Sequence, residues 1–242
     1  MSWITGLHAI EELLNDTVDG AELFIAGKGK RVEYLRGLAR RQGIAVRSVS
    51  SSELKQRAGT QARVLALKLT KPQTGSRSRT LEEVLIASKP PSLIMAVDGV
   101  TDPHNLGAIM RSADQVGAAA LLVPARRSAG MSDTVMRTSA GAATHLQTIS
   151  VSNLSRALES CKDAGYWIYA ADAGGTSVLD TPVHEMAVLV LGSEGKGPGR
   201  NTLRHSDAVV SIPSQGHVDS FNVSVAAGIL AFEFRRLQGY WS

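Results

Sequence analysis

The stretch Asp98–Pro124, DGVTDPHNLGAIMRSADQVGAAALLVP, decides the fold. The apolar run Leu93–Val97 ends at Asp98, and a polar turn with Asp102, Pro103 and Asn105 follows. Leu106, Ile109, Met110, Ala113 and Val116 then recur at helical spacing, Gly117 stops the helix, and Ala118–Val123 forms a second apolar run. The pattern is strand, loop, helix, strand, the repeating unit of a parallel sheet. Such sheets bind ligands in the loops that leave the C-terminal ends of their strands. Here that loop presents Asn105 at the helix start and Arg111 about two turns further in. The plain readings are a helix N-cap for Asn105 and a solvated helix face for Arg111. The chemical readings are a hydrogen-bonding amide and a cation, both aimed at a ligand.

Two further stretches have the same character of strand end followed by glycine-rich loop. One is LVLGSEGKGPG at Leu189–Gly199, and the other is IPSQGHVDSFNVSVAAGI at Ile212–Ile229. With TDPHNLGAIMRSAD, these resemble in order the three signature motifs of the SpoU family, RNA ribose 2′-O-methyltransferases that use S-adenosyl-L-methionine. The resemblance runs from about Ser92 onward. Within the family it is strongest to bacterial enzymes that methylate a guanosine ribose of large-subunit rRNA.

The resemblance implies an α/β fold with a C-terminal parallel-sheet methyltransferase domain tied in a trefoil knot. Knots are rare exceptions, and no periodicity in this sequence would reveal one. It also implies a catalytic set of Asn105, Arg111, Glu194, Ser220 and Asn222. The cofactor pocket would be formed by the turn at Gly192, the strand end at Ile212 and the loop at Phe221. Adenosine is uncharged, so backbone groups and apolar contacts would suit it without a phosphate loop. In the family the matching arginine is held essential and has been proposed to accept the 2′-hydroxyl proton. A guanidinium rarely gives up its own proton near neutral pH, so binding phosphate and stabilising the developing alkoxide is an equally good role.

Outside the motifs, the chain of 242 residues is 43% hydrophobic and 20% charged, the balance of a globular protein with a sizeable core. No apolar stretch reaches the length of a membrane span. The segment MSWITGLHAIEELLND has neither a basic head nor an unbroken apolar core, so no signal peptide is expected. The single cysteine, Cys161, can form no intrachain disulfide, reads as a small buried hydrophobe and agrees with a cytoplasmic location.

Charge is uneven along the chain. Residues 1–90 hold 15 Lys and Arg against 9 Asp and Glu, whereas residues 91–242 hold 11 against 13. A basic first third suggests a polyanionic partner. That third alternates helix and strand. Leu7, Ile10, Leu13 and Leu14 share a helical face, and Ala21–Ala26 reads as a strand. A basic helix at Arg31–Gln42 turns Val32, Leu35 and Leu38 inward and Arg31, Arg36, Arg40 and Arg41 outward. Strands at Ala45–Val49 and Val64–Leu69 follow, with a capped helical turn at Ser51–Arg57 between them. The resemblance implies that residues 1–70 form a small ribosomal-protein-like RNA-binding domain. Relatives carry His-Gln-Gly before its last strand; here GTQARVLAL retains only Gln61.

Residues 71–79 read as a Pro/Gly/Ser-rich basic linker, and residues 80–242 as the methyltransferase domain, opening with a short helix at Thr80–Ala87. Arg126 and Arg127 follow the second strand on the same sheet edge as Asn105, well placed for phosphates. Leu146–Val151 and Tyr166–Ala171 read as strands, Asn153–Asp163 as a helix capped by Asn153, and Ala187–Leu191 as a buried central strand. The last helix, Val223–Leu237, follows a possible cap at Asn222 and has an apolar face with Val225, Ile229, Phe232 and Leu237. Ala226, Ala227 and Phe234 lie off that stripe, and Tyr240 and Trp241 follow. That is more apolar surface than one core face needs, and with the family's habit it implies a homodimer.

Stock sites are absent. His184-Glu185 lacks the second histidine of the zinc-protease pattern, since Val188 stands there, and Gly195-Lys196 lacks P-loop spacing. The glycines at 195, 197 and 199 do not make a dinucleotide fingerprint, and no metal-ligand cluster is evident. The resemblance implies 2′-O-methylation of a ribose, in guanosine, of 23S rRNA. Competing readings are a tRNA ribose methyltransferase, which shares the motifs, and a non-catalytic RNA-binding, ribosome-associated factor.

Overall fold

A computed structural model describes residues 2–15, 20–69, 79–126, 128–217 and 220–241. The expected linker, apart from Arg79, and the expected phosphate contact Arg127 lie outside the described residues. The chain divides into two compact units, Met1–Gly75 and Ser76–Ser242.

The first unit runs β1 (Ser2–Ile4), α1 (Leu7–Asn15), β2 (Ala21–Ile25), α2 (Lys30–Arg41), β3 (Ala45–Ser48), α3 (Ser51–Ala58) and β4 (Leu65–Leu69). Its sheet has the order β1-β4-β2-β3, with β2 and β3 parallel and the other pairs antiparallel. Ile10, Leu13 and Leu14 of α1 and Val32, Leu35, Leu38 and Ala39 of α2 pack on one face against Leu65, Leu67 and Leu69. Leu54 of α3 covers Phe24 and Ala66 on the other. The alternation along β4 thus serves two cores, as period two requires. β1 was not expected from the sequence. Three residues are too few to show a period, and this strand is held by its ladder to β4 and by Trp3 edge-on against Phe24, ring centroids 5.0 Å apart.

The second unit opens with α4 (Leu81–Ala87), which starts on a capping box between Thr80 and Glu83. Then come β5 (Ser92–Val97), α5 (Pro103–Gln115), β6 (Ala120–Pro124), α6 (Asp133–Thr138), α7 (Ala142–His145), β7 (Thr148–Val151) and α8 (Leu154–Asp163). The chain ends with β8 (Trp167–Ser177), β9 (Met186–Leu191), α9 (Arg200–His205), β10 (Ala208–Ser211) and α10 (Val223–Leu237). All six strands are parallel, in the order β10-β8-β9-β5-β6-β7. Winding proceeds outward from β5 through β6 to β7, then returns to build the other half. The reversal falls between β5 and β9, where parallel sheets open a crevice at their C-terminal edge.

Both faces of this sheet are covered, which explains its continuous apolar runs. Leu93, Met95 and Val97 of β5 face Leu106, Ile109 and Met110 of α5, together with the inner side of α10. Ile94 and Ala96 face Leu158 and Cys161 of α8. Cys161 is fully buried, and that burial pushes its thiol pKa up to about 12.

The two apolar stripes of α10 separate in the structure into a core face and an exposed one. Val223, Ala227, Leu230, Ala231 and Phe234 are the buried apolar residues, whereas Val225, Ile229 and Phe232 are 50%, 40% and 55% exposed. α10 packs on α5. A Cβ added at Gly228 would lie 3.4 Å from Ser112 Oγ, an ordinary packing distance, and Leu230 and Phe234 fill the core beside it.

The C-terminal end of α10 is fastened by Arg235, which is 2% exposed. Its guanidinium donates to the carbonyls of Val116 (2.9 Å), Pro91 (3.3 Å) and Gly117 and lies 3.9 Å from the Tyr240 ring centroid. Burial lowers its pKa from the ordinary arginine value. The carbonyls it serves are orphans at the end of α5 and the start of β5, so the buried cation replaces their lost water. No helix among the described residues is long and apolar enough to cross a membrane.

Candidate functional site

The site forms at the β5–β9 reversal, and two carboxylates organise it. Asp98, the residue after β5, accepts from the Gly199 N–H (2.8 Å) and the Thr202 hydroxyl (2.6 Å). It thereby ties the loop leaving β9 to the neighbouring strand. Within that loop Ser193 and Gly197 exchange backbone hydrogen bonds of 3.1 and 3.0 Å, a tight turn that projects Glu194. Gly192 is obligatory here, because an added Cβ would fall 2.0 Å from the Gly197 carbonyl carbon.

Glu194 meets two amides. Asn222 Nδ2 donates to Glu194 Oε1 at 3.2 Å and to Asn105 Oδ1 at 3.1 Å, and Asn105 Nδ2 approaches Glu194 Oε2 at 3.5 Å. Residues 89 and 117 positions from Asn105 along the chain thus close a triangle. Asn222 also caps α10, its Oδ1 accepting from the Ser224 N–H at 2.9 Å and the Ser224 hydroxyl at 2.6 Å. One side chain therefore fixes a helix start and aims two donors at the site.

The plain reading of Asn105 as an N-cap is replaced. Asp102 caps α5 through the His104 N–H at 2.9 Å, Pro103 takes the first helical position, and Asn105 is buried one turn in. Pro is pre-organised for that position and lacks the N–H it would leave unpaired, which releases Asn105 for the triangle.

Gly192, Ile212 and Phe221 line one cavity of about 470 Å3, beside the middle of β8 and the C-terminal ends of β9 and β10. Ser220 lines it too, without a hydrogen bond among the described residues. Val223, Ala226 and Leu230 of α10 give it an apolar wall, and backbone of the Gly192–Gly197 loop gives it a polar one. Arg111 is not joined to the triangle. It stands exposed on α5 without an ion pair to any described residue. Arg126 is exposed just beyond β6.

Sequence reasoning missed Asp98, Asp172, Ser193 and Thr202. Asp98 carried a signal, since a carboxylate that ends a buried strand at this sheet edge points into the crevice. Thr202 is placed by its hydroxyl on Asp98, Asp172 by the Gly174 N–H and Ser193 by a backbone turn, none of which leaves a spacing to read. Among the described residues no group of three or more His, Cys, Asp or Glu could hold a metal ion.

Comparison with known proteins gives matches along nearly the whole chain. The SpoU rRNA Methylase family matches residues 92–232, and the RNA 2′-O ribose methyltransferase substrate binding family matches residues 3–63. The 23S rRNA (guanosine-2′-O-)-methyltransferase RlmB of Xanthomonas campestris pv. campestris is 36% identical over 241 residues, 96% of this chain and 94% of that protein. A crystal structure of an RNA 2′-O ribose methyltransferase superposes with a TM-score of 0.76 at 27% identity, covering 98% of this chain and 88% of the other. The SpoU methyltransferase AviRb from Streptomyces viridochromogenes, in complex with the cofactor AdoMet, gives a TM-score of 0.80 at 22% identity, over 98% and 90% of the two chains. The last likeness is one of fold.

Proposed function

Since this chain belongs to the SpoU rRNA methylase family of RNA 2′-O-methyltransferases, we propose that it methylates the ribose 2′-hydroxyl of a guanosine in 23S rRNA. The single observation that carries the reading is the Asn105–Glu194–Asn222 triangle, whose Glu194 lines the 470 Å3 cavity. The cofactor S-adenosyl-L-methionine supplies a methyl group already activated on a sulfonium. The cavity fits it: the volume lies within the roughly 300–1,000 Å3 range of cofactor sites, and apolar walls with backbone polar groups suit an uncharged adenosine. Gly192, Ile212 and Phe221 would hold that end.

The protein's own task is then orientation and charge. Asn105, Glu194 and Asn222, with Ser220 beside them, orient the acceptor ribose in line with the methyl. Arg111, exposed on α5 and without an ion pair among the described residues, holds the adjacent phosphate and stabilises the developing alkoxide, the proton leaving to phosphate or water. The division into an RNA-binding domain over residues 1–70, a linker over 71–79 and a catalytic domain over 80–242 belongs to this reading. So does the trefoil knot, which would hold the three cavity loops together.

The basic first unit and the naming of full-length relatives favour rRNA over tRNA as substrate. The reading includes a homodimer in the cytoplasm. Phe221, Val225, Ile229, Phe232, Leu237, Tyr240 and Trp241 are seven of thirteen exposed large hydrophobics among the described residues, a patch that a partner subunit would bury.

The test is methyl transfer from labelled cofactor to 23S rRNA or bulk tRNA by the purified full chain. Label in a guanosine ribose of 23S rRNA, absent with Arg111→Ala, is expected. Label confined to tRNA would overturn the substrate assignment, and no label in either RNA would overturn the enzyme.

A further inference from the structure

β8 is interrupted where it reaches the cavity. It pairs with β10 through Tyr169 and Ala170 and again through Thr176 and Ser177, with a register shift between Val209 and Val210. Residues 171–175 thus form an excursion outside the β10 ladder, tied to β10 by the Ser211 hydroxyl donating to the Gly175 carbonyl at 2.9 Å, a device that re-aims side chains. It turns Asp172 into the cavity wall. The Gly174 N–H donates to Asp172 Oδ1 at 2.9 Å, which fixes the carboxylate. Oδ2 has no hydrogen bond or ion pair to any described residue. It lies against Gly197, where an added Cβ would come within 2.2 Å of it.

Asp172 is half-buried in the cavity wall, and its Oδ2, with no donor among the described residues, is open to a ligand that carries one. Lys196, next to Gly197, lines the same cavity and likewise has no ion-pair partner among the described residues. A fixed anion and a free cation therefore flank one glycine, a pattern complementary to a zwitterion. A neutral ribose diol would use only the anion.

The sheet order decides which part of a ligand reaches them. β8 and β5 lie on opposite sides of β9. Asp172 and Asn105 therefore approach the Gly192–Gly197 loop from opposite sides. The methyl must be presented at the Asn105–Asn222 side, so Asp172 faces a group several bonds away from the sulfonium. The α10 wall of Val223, Ala226 and Leu230 is apolar and takes the adenosine.

We propose that Asp172 anchors the α-ammonium of the donor's methionine moiety, with Lys196 opposite the α-carboxylate. The proposal rests on the reading of S-adenosylmethionine as cofactor. It makes Asp172 a binding residue for the amino-acid head, separate from the Asn105–Glu194–Asn222 group that serves the acceptor.

The test is isothermal titration calorimetry on the full-length wild type and Asp172→Asn. The ligands are S-adenosylmethionine, S-adenosylhomocysteine, its deamino analogue and 5′-methylthioadenosine. The variant should bind the two ligands that carry the ammonium about tenfold or more weakly and the other two within about twofold of wild type, as loss of one charge-assisted hydrogen bond requires. In the wild type alone, removing the amino group from S-adenosylhomocysteine should cost a similar factor, which keeps the test sound if the variant unfolds. Equal weakening of all four ligands would indicate a ribose contact and overturn the proposal. Weakening of S-adenosylmethionine alone would indicate a sulfonium contact and overturn it as well. A wild type that binds none of the four would instead overturn the cofactor reading.

Discussion

Replacing Asn222 with alanine should cost both stability and rate, and replacing it with serine should separate the two. Asn222 Oδ1 caps α10, while its Nδ2 serves Asn105 and Glu194 at 3.1 and 3.2 Å. Loss of a cap costs about 1 kcal/mol. Loss of the two Nδ2 contacts adds about 1 kcal/mol, because Glu194 is exposed and water replaces part of what it loses. Serine can cap but cannot span to the triangle, so Asn222→Ser loses about 1 kcal/mol and Asn222→Ala about 2. For a domain of this size these correspond to melting shifts of about 2–4 °C and 4–8 °C. Rate should respond differently. Both variants leave Asn105 and Glu194 unpositioned, and a misplacement of about 1 Å costs on the order of 100-fold. Thermal unfolding and single-turnover methyl transfer on the same preparations read the two quantities. A serine variant with wild-type rate, or an alanine variant with unchanged melting, would refute the double role.

Other consequences are equally direct. Arg235→Met should lose roughly 3 kcal/mol or more in denaturant unfolding, because the carbonyls of Val116, Gly117 and Pro91 lose their donor; a loss under about 1 kcal/mol would mean that water satisfies them. Cys161, with its thiol pKa at about 12, should resist thiol reagents at pH 8 in the folded protein and react on unfolding; prompt native-state labelling would contradict its burial. His205 has a raised pKa, first through its hydrogen bond with the Asn201 carbonyl and then through Glu159. Its contribution is therefore full below the unfolded histidine value, near pH 6.5, and is lost as pH rises through the folded value. The melting difference between wild type and His205→Ala should be larger at pH 5.5 than at pH 8.5, and the reverse order would sink this assignment.

Where the sequence was legible, one arrangement alone satisfied it. Leu106, Ile109, Met110, Ala113 and Val116 are all buried as their spacing predicts, and the runs ending at Val97 and Leu191 are neighbouring central strands. Asn222 caps α10 as its place before that helix suggests, and Gly192, Ile212 and Phe221 line one cavity. What failed did so for physical reasons. α10 carries two apolar stripes, and its periodicity alone does not say that the one with Leu230 and Phe234 enters the core. β1, α9 and β10 are too short to show a period and are held by tertiary bonds, such as those from Asp98 to Gly199 and Thr202. Arg235 reads as a solvated end-of-helix cation until the carbonyls around it are known. Asp172 gains its position from a strand excursion that no residue pattern announces.

The account stands most directly on position-resolved ribose methylation of 23S rRNA, mapped by resistance to alkaline cleavage in cells with and without this protein. It predicts one guanosine whose 3′ linkage becomes alkali-labile when the protein is absent, and resistant again on return of the wild type but not of Arg111→Ala. An unchanged 23S rRNA pattern, with the lost methyl found in tRNA or on a base, would contradict it.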